Sequence, residues 1–308
     1  MKKYLIIGLF IIGSALLFSC DNFEGEQTVP AYIKVSGFNL VANPNYEFEQ
    51  DENFLTSDIS DVWIYVDNEL LGAYALPKNG DSVTIPVLAK GRHAIDFRPG
   101  IKYNGMAATR EYYRFYTFVT DTLDLIPGQI TRIDKKDIMY NYTYAKFTFN
   151  YGFEDSFSHF ENFTELGSTN NSQPNNFILI TNDSVKYGNN CLAMYSTSKE
   201  DNYKIITKDS IICTNKNGII LELDYHSNIP FEVGLYGKSS LTNNHTVSVM
   251  RLKANEDKGW QKMYIILGKV WGQLSYNPFK IYFQPFNVNN VPNGYIHIDN
   301  LNLIHFPD

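Results

Sequence analysis

The alternation of residues 61–66 sets the terms for the whole chain. In Asp61-Val62-Trp63-Ile64-Tyr65-Val66, Val62, Ile64 and Val66 fall on one side and Trp63 and Tyr65 on the other, the period of two that a pleated strand imposes. Asp67-Asn68 follows, a pair that tolerates positive φ, and Leu70-Leu71-Gly72-Ala73-Tyr74 returns, so 61–74 reads as a hairpin. Stretches of β-branched and aromatic residues recur along the chain, which carries 22 Tyr and 21 Phe, and helical periodicity is almost absent. Such a sequence packs as many short strands, and the expected class is all-β.

In the first part, further strands are expected at 31–38, 82–87, 93–97, 112–125 and 129–134, with a long polar loop over 44–56. Residues 98–110 read as a glycine-containing connection that places Arg98, Lys102 and Arg110 in an otherwise acidic protein. It is either a solvated loop or a dock for a partner or an anionic glycan. In the second part, strands are expected at 176–181, 191–196, 203–208, 218–226, 230–237, 246–252, 261–268, 279–285 and 295–304, a jelly-roll count. The domains expected are 31–143, an immunoglobulin-like β-sandwich in its general pattern, and 144–308, a jelly-roll β-sandwich.

The amino terminus carries Lys2 and Lys3, then an apolar run from Tyr4 to Phe18. That is signal-peptide length, short of a comfortable membrane span. Leu17-Phe18-Ser19-Cys20 resembles the lipobox of bacterial lipoproteins. The resemblance implies a leader over 1–19, a lipidated Cys20 as first mature residue, a tether over 20–30 and the lipid bilayer as partner. Asp21, Glu24 and Glu26 look like the surface-export tag of Bacteroidota-type lipoproteins, which implies the outer face of the outer membrane. Loss of Lys2 and Lys3 takes the net charge from −7 to −9. With basic residues scattered, nucleic acid is excluded as a partner. Cys191 and Cys213 are either one disulfide or two buried thiols, and no Cys/His spacing suggests zinc.

Four pieces of the second part occur in a family's order: Phe153-Glu154-Asp155, then Val185-Lys186-Tyr187-Gly188-Asn189-Asn190-Cys191-Leu192, then Gly259-Trp260-Gln261-Lys262-Met263-Tyr264, and finally Tyr295-Ile296-His297-Ile298-Asp299-Asn300-Leu301. Together they resemble a carbohydrate-binding module of the galactose-binding-like jelly-roll type. The resemblance implies one structural calcium ion held by Glu154 and Asp299, and a structural role for Trp260.

Chemistry is sparse. The sequence has no GxSxG elbow, no HExxH and no P-loop. Period two puts Glu222, Asp224 and His226 on one face of a strand. Glu222-x-Asp224 matches part of the E-x-D-x-x-E pattern of some jelly-roll glycoside hydrolases, but Ser227 stands where the second glutamate belongs. The face is either a solvent-facing strand or a row that hydrogen-bonds sugar hydroxyls. Trp271 is the candidate sugar-stacking platform, with Tyr282 and Gln284 extending the surface. Asp81-Ser82-Val83, Asp121-Thr122-Leu123, Asp183-Ser184-Val185 and Asp209-Ser210-Ile211 look like a Bacteroidota-type O-glycosylation sequon. The function expected is a non-catalytic surface lipoprotein that binds a glycan through residues 144–308. The alternatives are a scaffolding lipoprotein that binds an envelope protein partner and, third, a glycoside hydrolase.

Overall fold

The computed structural model describes residues 29–45, 55–154, 159–163, 177–181, 184–201, 203–213, 218–237, 245–271 and 278–307. Cys20, the leader, most of the tether and most of the 44–56 loop lie outside them. The protein is all-β, and among the described residues no helix exceeds the four of Gly268–Trp271.

The first ten strands are β1 (Ala31–Val35), β2 (Phe38–Leu40), β3 (Asp61–Val66), β4 (Glu69–Ala75), β5 (Val83–Val87), β6 (Gly91–Lys102), β7 (Arg110–Tyr112), β8 (Val119–Leu125), β9 (Ile130–Ile133) and β10 (Lys136–Ile138). They form a sheet β5-β1-β9, a pair β10-β2, and a sheet β4-β3-β6-β7 with β8 added to β6. The β3–β4 hairpin turns at Asp67 (φ 49°) and Asn68 (φ 72°), as its Asp-Asn pair predicts. Val62, Ile64, Ile33, Val35, Ile85 and Phe97 are fully buried in one core.

The 98–110 connection is corrected by the structure. β6 continues through Arg98, Pro99, Gly100 and Ile101 to Lys102, and Gly100 pairs with both Asp61 and Tyr112. Gly100 is there because a Cβ would stand 2.8 Å from the Trp63 ring, so the glycine marks a close approach rather than a turn.

The remaining strands are β11 (Lys146–Tyr151), β12 (Phe160–Phe163), β13 (Phe177–Thr181), β14 (Asn190–Ser196), β15 (Lys204–Thr207), β16 (Ile220–Ser227), β17 (Phe231–Gly237), β18 (His245–Leu252), β19 (Gln261–Ile266), β20 (Phe279–Pro285) and β21 (Gly294–His305). One sheet runs β13-β14-β21-β16-β19, with β11 also on β21; the other runs β12-β15-β20-β17-β18. Between them lie Leu221, Leu223, Phe231, Phe283, Ile296, Ile298 and their neighbours. Cys213 belongs to this core, while Cys191 packs with Ala193 on the far face of its sheet; both are buried and neither is in a disulfide.

A third core joins the two groups of strands. Ile101, Tyr113, Phe115, Tyr116, Ile138 and Tyr140 from the first group meet Ile220, Tyr264 and Ile304 from the second. The edge of β19 is met by Tyr103 in a parallel bridge, Asn104 N–H donates to the Tyr264 carbonyl at 2.8 Å, and Ile266 N–H donates to Asn104 Oδ1 at 3.1 Å. An exposed strand edge is thereby covered.

Candidate functional site

The outer face of the β14-β21-β16-β19 sheet holds the chemistry, and it has two unlike halves. On β16, Leu221, Leu223 and Tyr225 point into the sandwich core, which sends Glu222, Asp224 and His226 outward. The expectation that Glu222 and Asp224 serve as ligand-binding residues or sit on a solvent-facing strand fails, because the first group of strands covers them. Glu222 is 0 % exposed and Asp224 2 %.

Each carboxylate is engaged. Glu222 Oε1 accepts from the Tyr113 hydroxyl, and Oε2 accepts from Tyr140 Oη at 2.8 Å and lies 3.3 Å from Lys262 Nζ. Asp224 Oδ2 accepts from Thr56 Oγ1 at 2.5 Å and Asn300 Nδ2 at 3.1 Å, while Lys262 Nζ donates to Thr56 Oγ1 at 3.0 Å. Tyr116 and Tyr264 hydroxyls meet at 3.2 Å, and Asp58 N–H donates to Tyr264 Oη at 3.1 Å. Burial, and then the charge of Glu222 or a neighbouring tyrosine, pushes the phenols of Tyr113, Tyr116, Tyr140 and Tyr264 well above their usual range, so they stay protonated donors. With Glu222 fully covered and Asp224 held by Thr56 and Asn300, the pair does not present two carboxylates to one open groove, as glycoside hydrolysis needs.

The other half is partly open and aromatic. His226, Trp260 and Tyr295 are half-buried, Tyr195 is 37 % exposed, and His297 lies beneath them at 6 %. Ring centroids of Tyr295 and His297 are 4.7 Å apart, of His226 and Tyr295 5.4 Å, and of His226 and Trp260 6.0 Å. Trp260 lies 29° from the plane of His297. Burial, with His226 beside it, holds the His297 imidazole down to about 4, so it is neutral near pH 7. Neither of its nitrogens has a hydrogen-bond partner among the described residues. Both nitrogens are themselves buried beneath the rings, so the imidazole serves as a flat packing surface for Tyr295 and Trp260.

Of the two tryptophans, Trp271 does not have the role expected of it, while Trp260 packs beside Cys191 and Ala193, as its expected structural role requires. Trp271 is 2 % exposed, beside Phe279 in the sandwich core, and has no ring face to give a sugar. Trp260 lines the border of the open half. The β19 alternation carries the signal, since Trp260, just before the strand, shares its parity with Lys262 and Tyr264.

Tyr282 and Gln284 sit on the opposite sheet. Tyr282 is 2 % exposed, folded over Gly234, where an added Cβ would come within 2.1 Å of the ring, and its hydroxyl donates to Glu232 Oε1 at 2.8 Å. It is a packed residue there, and Gln284 pairs in register with Glu232.

Glu154 and Asp299 converge on the 185–190 turn. Glu154 Oε1 accepts from the backbone of Asn189 (2.8 Å) and Asn190 (3.0 Å), and Oε2 from Asn189 Nδ2 at 3.3 Å. Asp299 Oδ2 accepts from the backbone of Lys186 (3.2 Å) and Tyr187 (3.3 Å), and Oδ1 from Asn300 N–H at 2.8 Å. Gly188, at φ 69°, leaves room for Glu154, whose Oε1 would lie 2.2 Å from a Cβ. Three of the roughly four acceptor sites on each carboxylate are taken by N–H groups. As arranged, the pair anchors the turn.

Arg98 and Arg110 are also occupied. Arg98 bonds Asp96 at 2.7 Å and lies over the Tyr65 ring at 4.0 Å and that of Phe118 at 4.4 Å. Arg110 pairs with the buried Asp61 at 3.0 Å.

No family model matches the chain, and no curated protein matches it. Among solved structures, it is similar to a family 11 carbohydrate-binding module from Clostridium thermocellum in complex with a β-1,3-1,4-mixed-linked tetrasaccharide, at 14 % identity over 53 % of this chain and 96 % of that one, TM-score 0.34. It is similar to the CBM22-1 xylan-binding domain of Paenibacillus barcinonensis Xyn10C at 12 % identity, 53 % and 96 % coverage, TM-score 0.35. A third likeness, to a carbohydrate-binding module of the β-sandwich superfamily, has 10 % identity over 84 % of this chain and 88 % of that one, TM-score 0.33. With TM-scores of 0.33 to 0.35, the likeness assigns this chain no ligand.

Proposed function

We propose that this protein is a non-catalytic glycan-binding lipoprotein, anchored in the outer membrane through an acylated Cys20 and displayed at the cell surface, with 31–143 as an immunoglobulin-like spacer and 144–308 as the binding module. The observation that carries the binding is the open aromatic half-face, where Trp260, Tyr295 and His226 stand around an imidazole with no partner. Sugar rings stack their C–H faces on aromatic rings, so this cluster of half-buried rings suits a saccharide. The test is affinity electrophoresis of the mature protein through gels containing a panel of polysaccharides. Retention that weakens at least about tenfold in Trp260→Ala supports it; free migration through every gel refutes it. Anchoring is tested separately, by labelling cells with an alkyne fatty acid: wild type takes label and Cys20→Ser does not.

One observation favours a scaffolding role as the second reading. β4 is an edge strand with Leu70 50 % and Leu71 36 % exposed, and edges of that kind pair with other chains. A co-purifying envelope protein lost in Leu70→Lys would move the assignment there.

A further inference from the structure

Where the covered and open halves meet, the two groups of strands leave a cleft of about 660 Å³, within the range of ligand sites. Phe38, Leu40, Thr56 and Lys102 line it from one side and Tyr187, Trp260 and Lys262 from the other. Its charge is opposite to that of the chain. The protein carries −7 overall, yet five lysines line this one cleft: Lys78, Lys102, Lys186, Lys258 and Lys262. The acidic residues lining it are Asp58 and Asp224. Asp224 and Lys262 are already used in the buried network, so four lysines face one aspartate.

These four come from separate places. Lys78 lies between β4 and β5, Lys102 ends β6, Lys186 belongs to the turn before β14, and Lys258 stands just before β19. Among the described residues none of the four forms an ion pair, and Lys186 rests over the Tyr187 ring at 5.0 Å. Lys78 and Lys258 are exposed and Lys102 half-buried. Like charges gathered in a concave, partly apolar site repel one another and focus a positive potential into it. An ammonium is a point charge suited to a carboxylate or sulfate. Trp260 lines this cleft and also borders the aromatic half-face, so one ligand reaches both.

We infer that the cleft recognises an anionic polysaccharide, one bearing uronate or sulfate groups, whose charges meet Lys78, Lys102, Lys186 and Lys258 while a ring of the same chain lies on Trp260. This rests on the glycan-binding reading above and adds the ligand class to it. Single-stranded nucleic acid has the same sign and also stacks on aromatics. It is disfavoured because the positive lining is confined to one short cleft in an acidic protein.

The test uses the mature soluble chain, from Asp21 onward, with polygalacturonate, chondroitin sulfate, neutral galactan, neutral xyloglucan and oligo(dT) as probes, read by affinity electrophoresis and calorimetry. The expected result is binding to one or both acidic glycans, weakened about 3–10-fold by each of Lys102→Glu and Lys258→Glu and by 0.5 M NaCl, with Lys→Arg at the same positions retaining most of it. Urea midpoints of the variants establish that they fold. Retention by neutral glycans alone overturns the anionic assignment and leaves glycan binding standing. Retention by no glycan overturns both. Equal binding of oligo(dT) overturns the assignment by showing an undiscriminating polyanion site.

Discussion

Two halves of one sheet face, built from the same strands, have opposite fates. On β16, Glu222 and Asp224 are buried and hydrogen-bonded; two residues on, His226 is half-exposed among aromatic rings. On β21, Asp299 is buried and bonded by the 185–190 turn and Asn300, while His297, two residues earlier, has no hydrogen-bond partner among the described residues. The difference is what lies on top. Where β6, β7 and the segment carrying Tyr113, Tyr116 and Tyr140 press on the sheet, every charge has been given a donor or a counter-ion, because an unpaired buried charge costs several kcal/mol. Where no described strand presses, the same sheet keeps half-buried rings and an imidazole without a hydrogen-bond partner among the described residues. The covered half fixes the geometry of the cleft, and the open half is free to use it.

The sharpest way to break this contrast is to strip one charge from the covered half. Lys262→Met leaves Glu222 buried with two phenols and no cation. Stability should fall by about 3–5 kcal/mol, read as a lower urea midpoint. Adding Glu222→Leu to Lys262→Met should recover part of that, since no bare charge remains. A single variant as stable as wild type would show that water reaches Glu222 and that the two halves are not so different. Tyr140→Phe removes one donor from the same carboxylate and should cost less, about 1–3 kcal/mol.

The tryptophans test the contrast from the other direction. Trp271→Ala empties a core position and should lower stability by about 3–5 kcal/mol, with glycan retention changed only as far as folding is. Trp260→Ala should do the reverse, with retention falling at least about tenfold and a smaller loss of stability. If both variants lose stability equally and neither changes retention at temperatures where it folds, the open half is a structural surface.

Much of this architecture is legible from the chain. The Asp67-Asn68 turn and the strand run of the second half come straight from period and turn chemistry. What is not legible is what covers what. Glu222-x-Asp224-x-His226 has one parity, and parity assigns a face without saying whether another group of strands will lie on it. Tyr113 and Tyr140 read as ordinary strand or linker aromatics, and nothing local marks them as the donors that make Glu222 tolerable 109 and 82 positions away. The lysine cleft is hidden for the same reason: Lys78, Lys102, Lys186 and Lys258 are isolated in sequence and meet only through the packing of two groups of strands. Gly100 misleads in a different way, since a glycine needed for the Trp63 ring looks the same in a sequence as a glycine needed for a turn.

The smallest expected effect compares the buried ion pair with an exposed one. His93 Nδ1 meets Asp67 Oδ2 at 2.6 Å at the β3–β4 hairpin, and His93 Nε2 lies 3.1 Å from the Lys90 carbonyl. The hydrogen bond to Asp67, then that to Lys90, raises the His93 imidazole above its ordinary 6.5, and the bond to His93 is also the main reason the Asp67 carboxyl lies below its ordinary 3.8. A histidine raised in the folded state holds its proton there more tightly than in the unfolded chain. Its contribution is therefore complete below pH 6.5 and disappears as pH rises through the folded value. Because both groups face solvent, the consequence for stability should be far smaller than for Lys262→Met. The measurement is the His93 titration followed by NMR: Asp67→Asn, which keeps a residue tolerant of the positive φ at that turn, should bring the midpoint back toward 6.5 while the urea midpoint near pH 7 barely moves. A large loss of stability from this exposed pair would mean that cover is not what separates the ionic interactions that hold this protein together from those that decorate it.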